Sequence, residues 1–220
     1  SESRDEGSWN RRCDPYEPAR VNEYLDRLKS TLGESAPVAL EHDLHCKFAG
    51  FGGQGILTLG LLLSQIGMRA GQHVSWFPAY GPEMRGGTAN CSVNVCRGRI
   101  GTPLVDKPNV LVVMNQPSLD AFAGEVVDGG TIIVDTTIVE GRPDAKRLRP
   151  VLIPATGIAD EVGTAKIANV VVLGALVAAT GCFPREFCED TLRAAIKKRS
   201  LVDMNIDAFG RGYEFVKNAR

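Results

Sequence analysis

The sequence has no C-x-x-C pair. Its cysteines, Cys13, Cys46, Cys91, Cys96, Cys182 and Cys188, are scattered, so neither an iron–sulfur run nor a zinc ribbon is encoded. Cys91 and Cys96, alternating with Val93 and Val95 on a strand, read as small apolar fillers. No G-x-x-x-x-G-K-[ST] phosphate loop occurs, and no G-x-S-x-G elbow or Ser-His-Asp order. The histidines, His42, His45 and His73, stand beside no nucleophile, and His45 reads as a strand residue with a satisfied ring. Charge of one sign is also lacking. A net charge of −1 leaves no basic stripe for nucleic acid or a membrane surface. The longest apolar run, Ile167–Thr180, is too short to span a bilayer. The start, Ser1–Arg12, is polar and carries no secretory signal. With unpaired cysteines, this points to a reducing cytoplasm. Aromatic residues are few, at 6%, whereas glycine numbers 24, which suits an α/β domain with tight turns rather than a β-sandwich.

What is present falls into two parts. Residues 1–43 read as an N-terminal extension that lies on another surface, either this domain or, the favoured expectation, a partner subunit that it wraps. Within it Val21, Tyr24, Leu25 and Leu28 fall on one face of a short amphipathic helix. Residues 44–220 alternate strand and helix, and the expectation is an α/β, Rossmann-like, doubly wound and mostly parallel sheet with flanking helices. Strands are predicted near 44–50, 73–78, 88–95, 108–114, 131–135 and 151–154. Helices are predicted near 54–69, 118–122, 165–180, 184–199 and 205–217, with 156–163 either helix or loop. Gly60, Ser64 and Gly67 form a small-residue stripe suited to packing against the sheet. Ala165–Thr180 is apolar all round and must be covered on every side. Lys197, Lys198 and Arg199 would close the 184–199 helix in accord with its dipole.

The chain is organised around Lys47–Gly55 running into Ile56–Gly71. Gly50, Gly52 and Gly55 stand at G-x-G-x-x-G spacing, followed by a helix whose first N–H groups can hold an anion. Three readings remain open for this turn: a dinucleotide, another anion on backbone N–H groups, or packing alone. A nicotinamide site usually has an acid at the end of the second strand, and none ends His73–Pro78. The next acid is Glu83, in the glycine-rich Gly81–Gly87 loop with Arg85. That pair is either a structural salt bridge or points at a ligand anion. Tyr80 reads as a packing anchor, Asn169 as a first-turn helix cap, and Asp135 as a strand-end turn residue that could also touch a ligand. The residues alone describe an α/β domain with a binding or interaction role and no self-contained catalytic set.

Phe48–Gly55 with Thr58, then Tyr80-Gly81-Pro82-Glu83-Met84-Arg85-Gly86-Gly87, then Val110–Met114 and Ala168–Ala175 together resemble the gamma subunit of the 2-oxoacid:ferredoxin (acceptor) oxidoreductases. The resemblance covers about Leu44–Phe215. It implies a Rossmann-like domain in an enzyme that oxidatively decarboxylates a 2-oxo acid to an acyl-CoA and CO2. Thiamine diphosphate, Mg and [4Fe-4S] clusters would sit in partner subunits, with coenzyme A shared. Implied partners are alpha, beta and ferredoxin-like delta subunits, and ferredoxin or an NAD-linked flavoprotein as acceptor. By motif position the implied cofactor-binding edge is Gly50, Gly52, Gly53, Gln54, Gly55, Thr58, Glu83, Arg85, Gly86, Gly87 and Asn169. No catalytic or metal residue is implied. The alternatives are an independent dinucleotide-binding oxidoreductase domain and a purely structural interaction subunit. The resemblance generates one test: Arg85→Ala should raise the apparent KM for coenzyme A more than that for the 2-oxo acid. Equal rises would indicate an assembly role.

Overall fold

A computed structural model describes Ser30, Leu32, residues 36–80 and residues 88–219. The strands are β1 (Leu44–Phe51), β2 (His73–Tyr80), β3 (Thr88–Cys96), β4 (Val110–Val113), β5 (Thr131–Asp135) and β6 (Arg149–Ile153). The helices are α1 (Ile56–Arg69), α2 (Gln116–Phe122), α3 (Ala155–Val162), α4 (Ala168–Thr180), α5 (Arg185–Ala195) and α6 (Val202–Asn218). The sheet has the order β2-β3-β1-β4-β5-β6. β1, β4, β5 and β6 pair in parallel, while β3 lies antiparallel to both β1 and β2. All strands but β3 therefore run the same way, as expected for the Rossmann-like class.

The strand sequences show why both faces are covered. β4 and β5 are buried at every position, the signature of a strand with no solvent face. Val110, Val112 and Ile133 pack with α1 and α4 on one face. Leu111, Val113, Ile132 and Val134 pack with Leu119 of α2 on the other. β2 forms one edge. Pro78 is tolerated there because an edge strand has only one side to pair. The small-residue stripe of α1 faces this edge: a Cβ on Gly60 would lie 2.7 Å from Cys91 Sγ, and one on Gly67 would lie 2.8 Å from Val95 Cγ1. Cys91 is fully buried and fills this space.

α4 is the most enclosed helix. Every residue from Ala168 to Ala178 is buried, and Gly181 stops the helix in the left-handed region at φ 66°. Its tightest contact is with α6. A Cβ on Gly174 would lie 2.0 Å from Phe209 O, and one on Gly212 would lie 1.9 Å from Val171 O. Only residues without a side chain let the two backbones approach this closely. Phe209 and Val216 of α6 are buried, but nothing in the sequence pattern foresees the Gly212 contact.

Two boundaries depart from expectation. α5 ends at Ala195, because Ile196 turns extended (φ −78°, ψ 105°) and packs against the core. Lys197, Lys198 and Arg199 thus lie beyond the helix rather than in its last turn. Residues 165–167 form a 3-10 turn ahead of α4, held by Thr164, whose hydroxyl accepts from Lys166 N–H. Asn169 is consequently not a cap: it is the second residue of α4, whose N-terminus has no side-chain cap. Residues 155–162 resolve the open choice in favour of helix.

The described part of the front segment lies on this domain. Leu32 and Leu40 are buried, and Val38 N–H donates to Ala70 O at 3.1 Å. The amphipathic stretch at 18–29 falls outside the described residues. The helix crossing generates a stability test. In a helix interior Gly→Ala ordinarily gains about 1 kcal/mol, but here the added carbon meets backbone that cannot rotate away. Gly212→Ala or Gly174→Ala should each cost roughly 3 kcal/mol net. That corresponds to a Tm lower by about 6–12 °C in thermal unfolding.

Candidate functional site

The turn after β1 is built by its own side chains. Gln54 Oε1 accepts from Phe51 N–H at 2.6 Å, and Gln54 Nε2 donates to Met114 O at 2.7 Å. This one amide ties the end of β1 to the end of β4, at the carboxyl edge where open α/β sheets bind ligands. Gly50 leaves room for Gln54 and Ile56, which a Cβ would meet at 2.7 and 2.9 Å. Gly53 (φ 100°) and Gly55 (φ 74°) are left-handed, the conformation that turns the chain into α1. Gly53 opens on empty space, whereas a Cβ on Gly55 would lie 2.7 Å from Asn169 Nδ2. Asn169 donates to Gly55 O at 3.2 Å, so the start of α4 is clamped over the start of α1. Gly52 and Gly53 are exposed at the tip.

A groove of about 610 Å³ opens here, within the range of ligand pockets. Gly55, Thr58, Leu61, Leu62 and Gln65 of the α1 side form one wall. Lys166, Ile167, Asn169 and Val170 form the second, and Ala195, Ile196, Lys197, Leu201 and Asn205 the third. Leu32 of the front segment closes it. Lys166 and Lys197 are exposed, and among the described residues no carboxylate lines the groove. α1 has neither a side-chain cap nor an acid in its first turn, so its dipole is unopposed. An anion is the ligand this arrangement favours.

The structure thus brings Gly55, Thr58 and Asn169 together, with Gln54 bracing the turn behind them. The loop carrying Glu83, Arg85, Gly86 and Gly87 lies outside the described residues, as does the side chain of Tyr80. Its root is visible: Tyr80 pairs with Ala89 and Phe51 with Thr88, so the loop leaves the sheet beside the glycine turn. Lys166, Lys197, Gln65 and Asn205 had been missed as groove residues. Lys166 carried no sequence signal, and Lys197 read as a helix-end charge.

Other singled-out residues are structural. His45 Nδ1 meets Asn94 Oδ1 at 2.7 Å, the expected satisfied ring. Asp135 is fully buried; it accepts from Thr137 N–H and from both the N–H and hydroxyl of Thr156, closing its own turn onto the start of α3. Burial pushes the Cys91 thiol up to about 12 and that of Cys182 up to about 11, and raises those of Cys46 and Cys188 further from reactivity. These thiols are neutral near pH 7 and are not nucleophiles.

The sheet order also bears on the dinucleotide alternative. In a dinucleotide fold the second strand lies beside the first and brings its acid to the ribose. Here β3 stands between β1 and β2, which moves the end of β2 outward by about one strand spacing of 4.8 Å.

Residues 45–215 match the pyruvate ferredoxin/flavodoxin oxidoreductase family. The chain belongs to this family. It is 42% identical over 206 residues to the ketoisovalerate oxidoreductase subunit VorA of Methanothermobacter thermautotrophicus, covering 89% of this chain and 42% of VorA. The chain therefore spans well under half the length of that relative. It is 32% identical over 175 residues to the 2-oxoglutarate synthase subunit KorC of Methanocaldococcus jannaschii, covering 78% of this chain and 92% of KorC. Among solved structures, the gamma subunit of a keto/oxoacid ferredoxin oxidoreductase from Geobacter sulfurreducens superposes with a TM-score of 0.72 at 27% identity. That match covers 81% of this chain and 98% of the other. The family and its gamma-subunit fold, expected from the sequence, are thereby shown. Among the described residues no helix is long and apolar enough to cross a membrane.

The braced turn generates a second test. Gln54→Ala removes both hydrogen bonds at once. Water can replace the one at exposed Phe51, so the loss should be about 1–2 kcal/mol. It should appear as a Tm lower by roughly 2–8 °C and as faster amide exchange at Phe51.

Proposed function

We propose that this chain is the gamma-type, cofactor-poor part of a 2-oxoacid:ferredoxin oxidoreductase and that its groove holds an anionic portion of coenzyme A. The complex would oxidatively decarboxylate a 2-oxo acid to an acyl-CoA and CO2. In this reading thiamine diphosphate with Mg, and the iron–sulfur clusters, belong to alpha, beta and ferredoxin-like delta companions. Electrons leave to ferredoxin or to an NAD-linked flavoprotein. The relatives named for ketoisovalerate and 2-oxoglutarate support the substrate class, a short 2-oxo acid.

The observation that carries the coenzyme A reading is the charge of the groove. Among the described residues its ionic lining groups are Lys166 and Lys197, and it begins at an uncapped helix N-terminus. Phosphate groups are the part of coenzyme A such a site attracts. The groove also offers Leu61, Leu62, Ile196 and Leu201 as apolar wall for an uncharged arm. Gly55 and Thr58 line it directly, and Gln54 acts by bracing the turn. Glu83, Arg85, Gly86 and Gly87 belong to the proposed edge through the loop rooted beside Phe51. The fold itself, with Gly50 and Gly55 occupied by the protein's own side chains, favours this over a dinucleotide bound along the turn.

The test uses the assembled complex. Lys166→Glu and Lys197→Glu are exposed substitutions and should leave assembly intact. Each reverses a charge facing a polyanion. Each should raise the KM for coenzyme A by about fivefold to thirtyfold, equivalent to about 1–2 kcal/mol, with the KM for the 2-oxo acid changed less than twofold. Equal changes in both KM values, or none, would remove the assignment.

A further inference from the structure

We propose that Asp43, His45 and Cys96 form a binding site for a divalent transition-metal ion of the zinc type, on the face of the sheet opposite the groove. One donor atom from each residue lies within 4.8 Å of the others. The backbone places them together. Asp43 and His45 are two apart at the start of β1, hence on one face. Leu44 pairs with Val95 and His45 with Asn94, which brings Cys96 alongside Asp43. Lys47 on that same face pairs with Glu125, at the end of the α2 region, so this face is the α2 side and not the α1 side.

Each of the three has a donor atom left over among the described residues. Arg97 makes both of its contacts to Asp43, from N–H and Nε, on Oδ1 at 3.1 Å, leaving Oδ2. Asn94 Nδ2 donates to Ser75 Oγ at 2.9 Å and to Pro103 O at 3.2 Å, so its Oδ1 faces the His45 ring and receives Nδ1–H. The lone pair then resides on Nε2. Orienting one imidazole nitrogen by a hydrogen bond on the other is how proteins present histidine to a metal. Cys96 is buried, and its Sγ has no hydrogen-bond partner among the described residues.

Carboxylate, imidazole and thiolate together suit zinc, which accepts oxygen, nitrogen and sulfur in tetrahedral geometry. They do not suit calcium or magnesium, which take oxygen ligands. A cavity of about 440 Å³ lies over the three, walled by residues 98–102 and 104–107, so a fourth position is open to water. His73 pairs with Cys96 in register and is exposed on the same face, one strand away. Binding would exchange the Cys96 thiol proton for the metal and release that proton to solvent. The competing Asp43–Arg97 pair is solvent-exposed, and such pairs contribute little. The site would clamp the start of β1 to the end of β3.

The test is a titration of the chelator-treated full chain with Co(II), read by the thiolate-to-cobalt charge-transfer band. One equivalent should develop the band, and one equivalent of Zn(II) should bleach it. Cys96→Ser should abolish it. Asp43→Asn, at a partly exposed position that tolerates the change, should keep the fold and weaken affinity by at least about tenfold. Absence of the band in the parent chain, its survival in Cys96→Ser, or unchanged affinity in Asp43→Asn would each overturn the proposal.

Discussion

The enclosure of α4 is the constraint on which the rest depends. Its sequence offers no polar face, so it is stable only when covered from every direction. The sheet, α1 and α3 supply part of that cover, and α6 supplies the remainder by direct contact between backbones at Gly174 and Gly212. Dispersion and burial both grow with such closeness. The crossing also sets position. It fixes the rotation of α4, which aims Asn169 at Gly55 and holds Lys166 and Ile167 at the groove. It fixes the start of α6 as well, which brings Leu201 and Asn205 to the opposite wall. The groove is therefore a by-product of how two helices pack, not of a local motif.

Sheet order decides how the two glycine-rich segments relate. A hairpin of β2 and β3 folds back beside β1, so the root of the 81–87 loop and the β1–α1 turn share one edge. Neither segment is a site alone. The turn is filled largely from within, by Gln54, Ile56 and Asn169, and only its tip and the first turn of α1 face outward. This accords with the proposal that the redox chemistry lies with companion chains.

The two faces of the sheet offer different chemistry. The α1 side presents lysines and an unopposed helix dipole. The opposite side gathers carboxylate, imidazole and thiol under the 98–107 segment. The first opens beside the end of β1, and the second lies at the start of β1 and the end of β3; β4 and β5, buried at every position, leave no such room at the centre of the sheet.

Element type and order were legible from the residues. The strands at 108–114 and 131–135 and the all-apolar helix at 165–180 are local patterns, and local composition was enough to read them. The motif pair was equally legible and carried the family. What the residues could not disclose was pairing and contact between distant segments. That β3 runs antiparallel, that Asn169 serves Gly55 rather than capping its own helix, and that α5 stops at Ala195 so that Ile196 packs against the core each result from neighbours far away in the chain. The groove lysines and the Asp43–His45–Cys96 cluster are of the same kind. Their meaning lies in proximity across strands and helices, which only the closing of a common core can create.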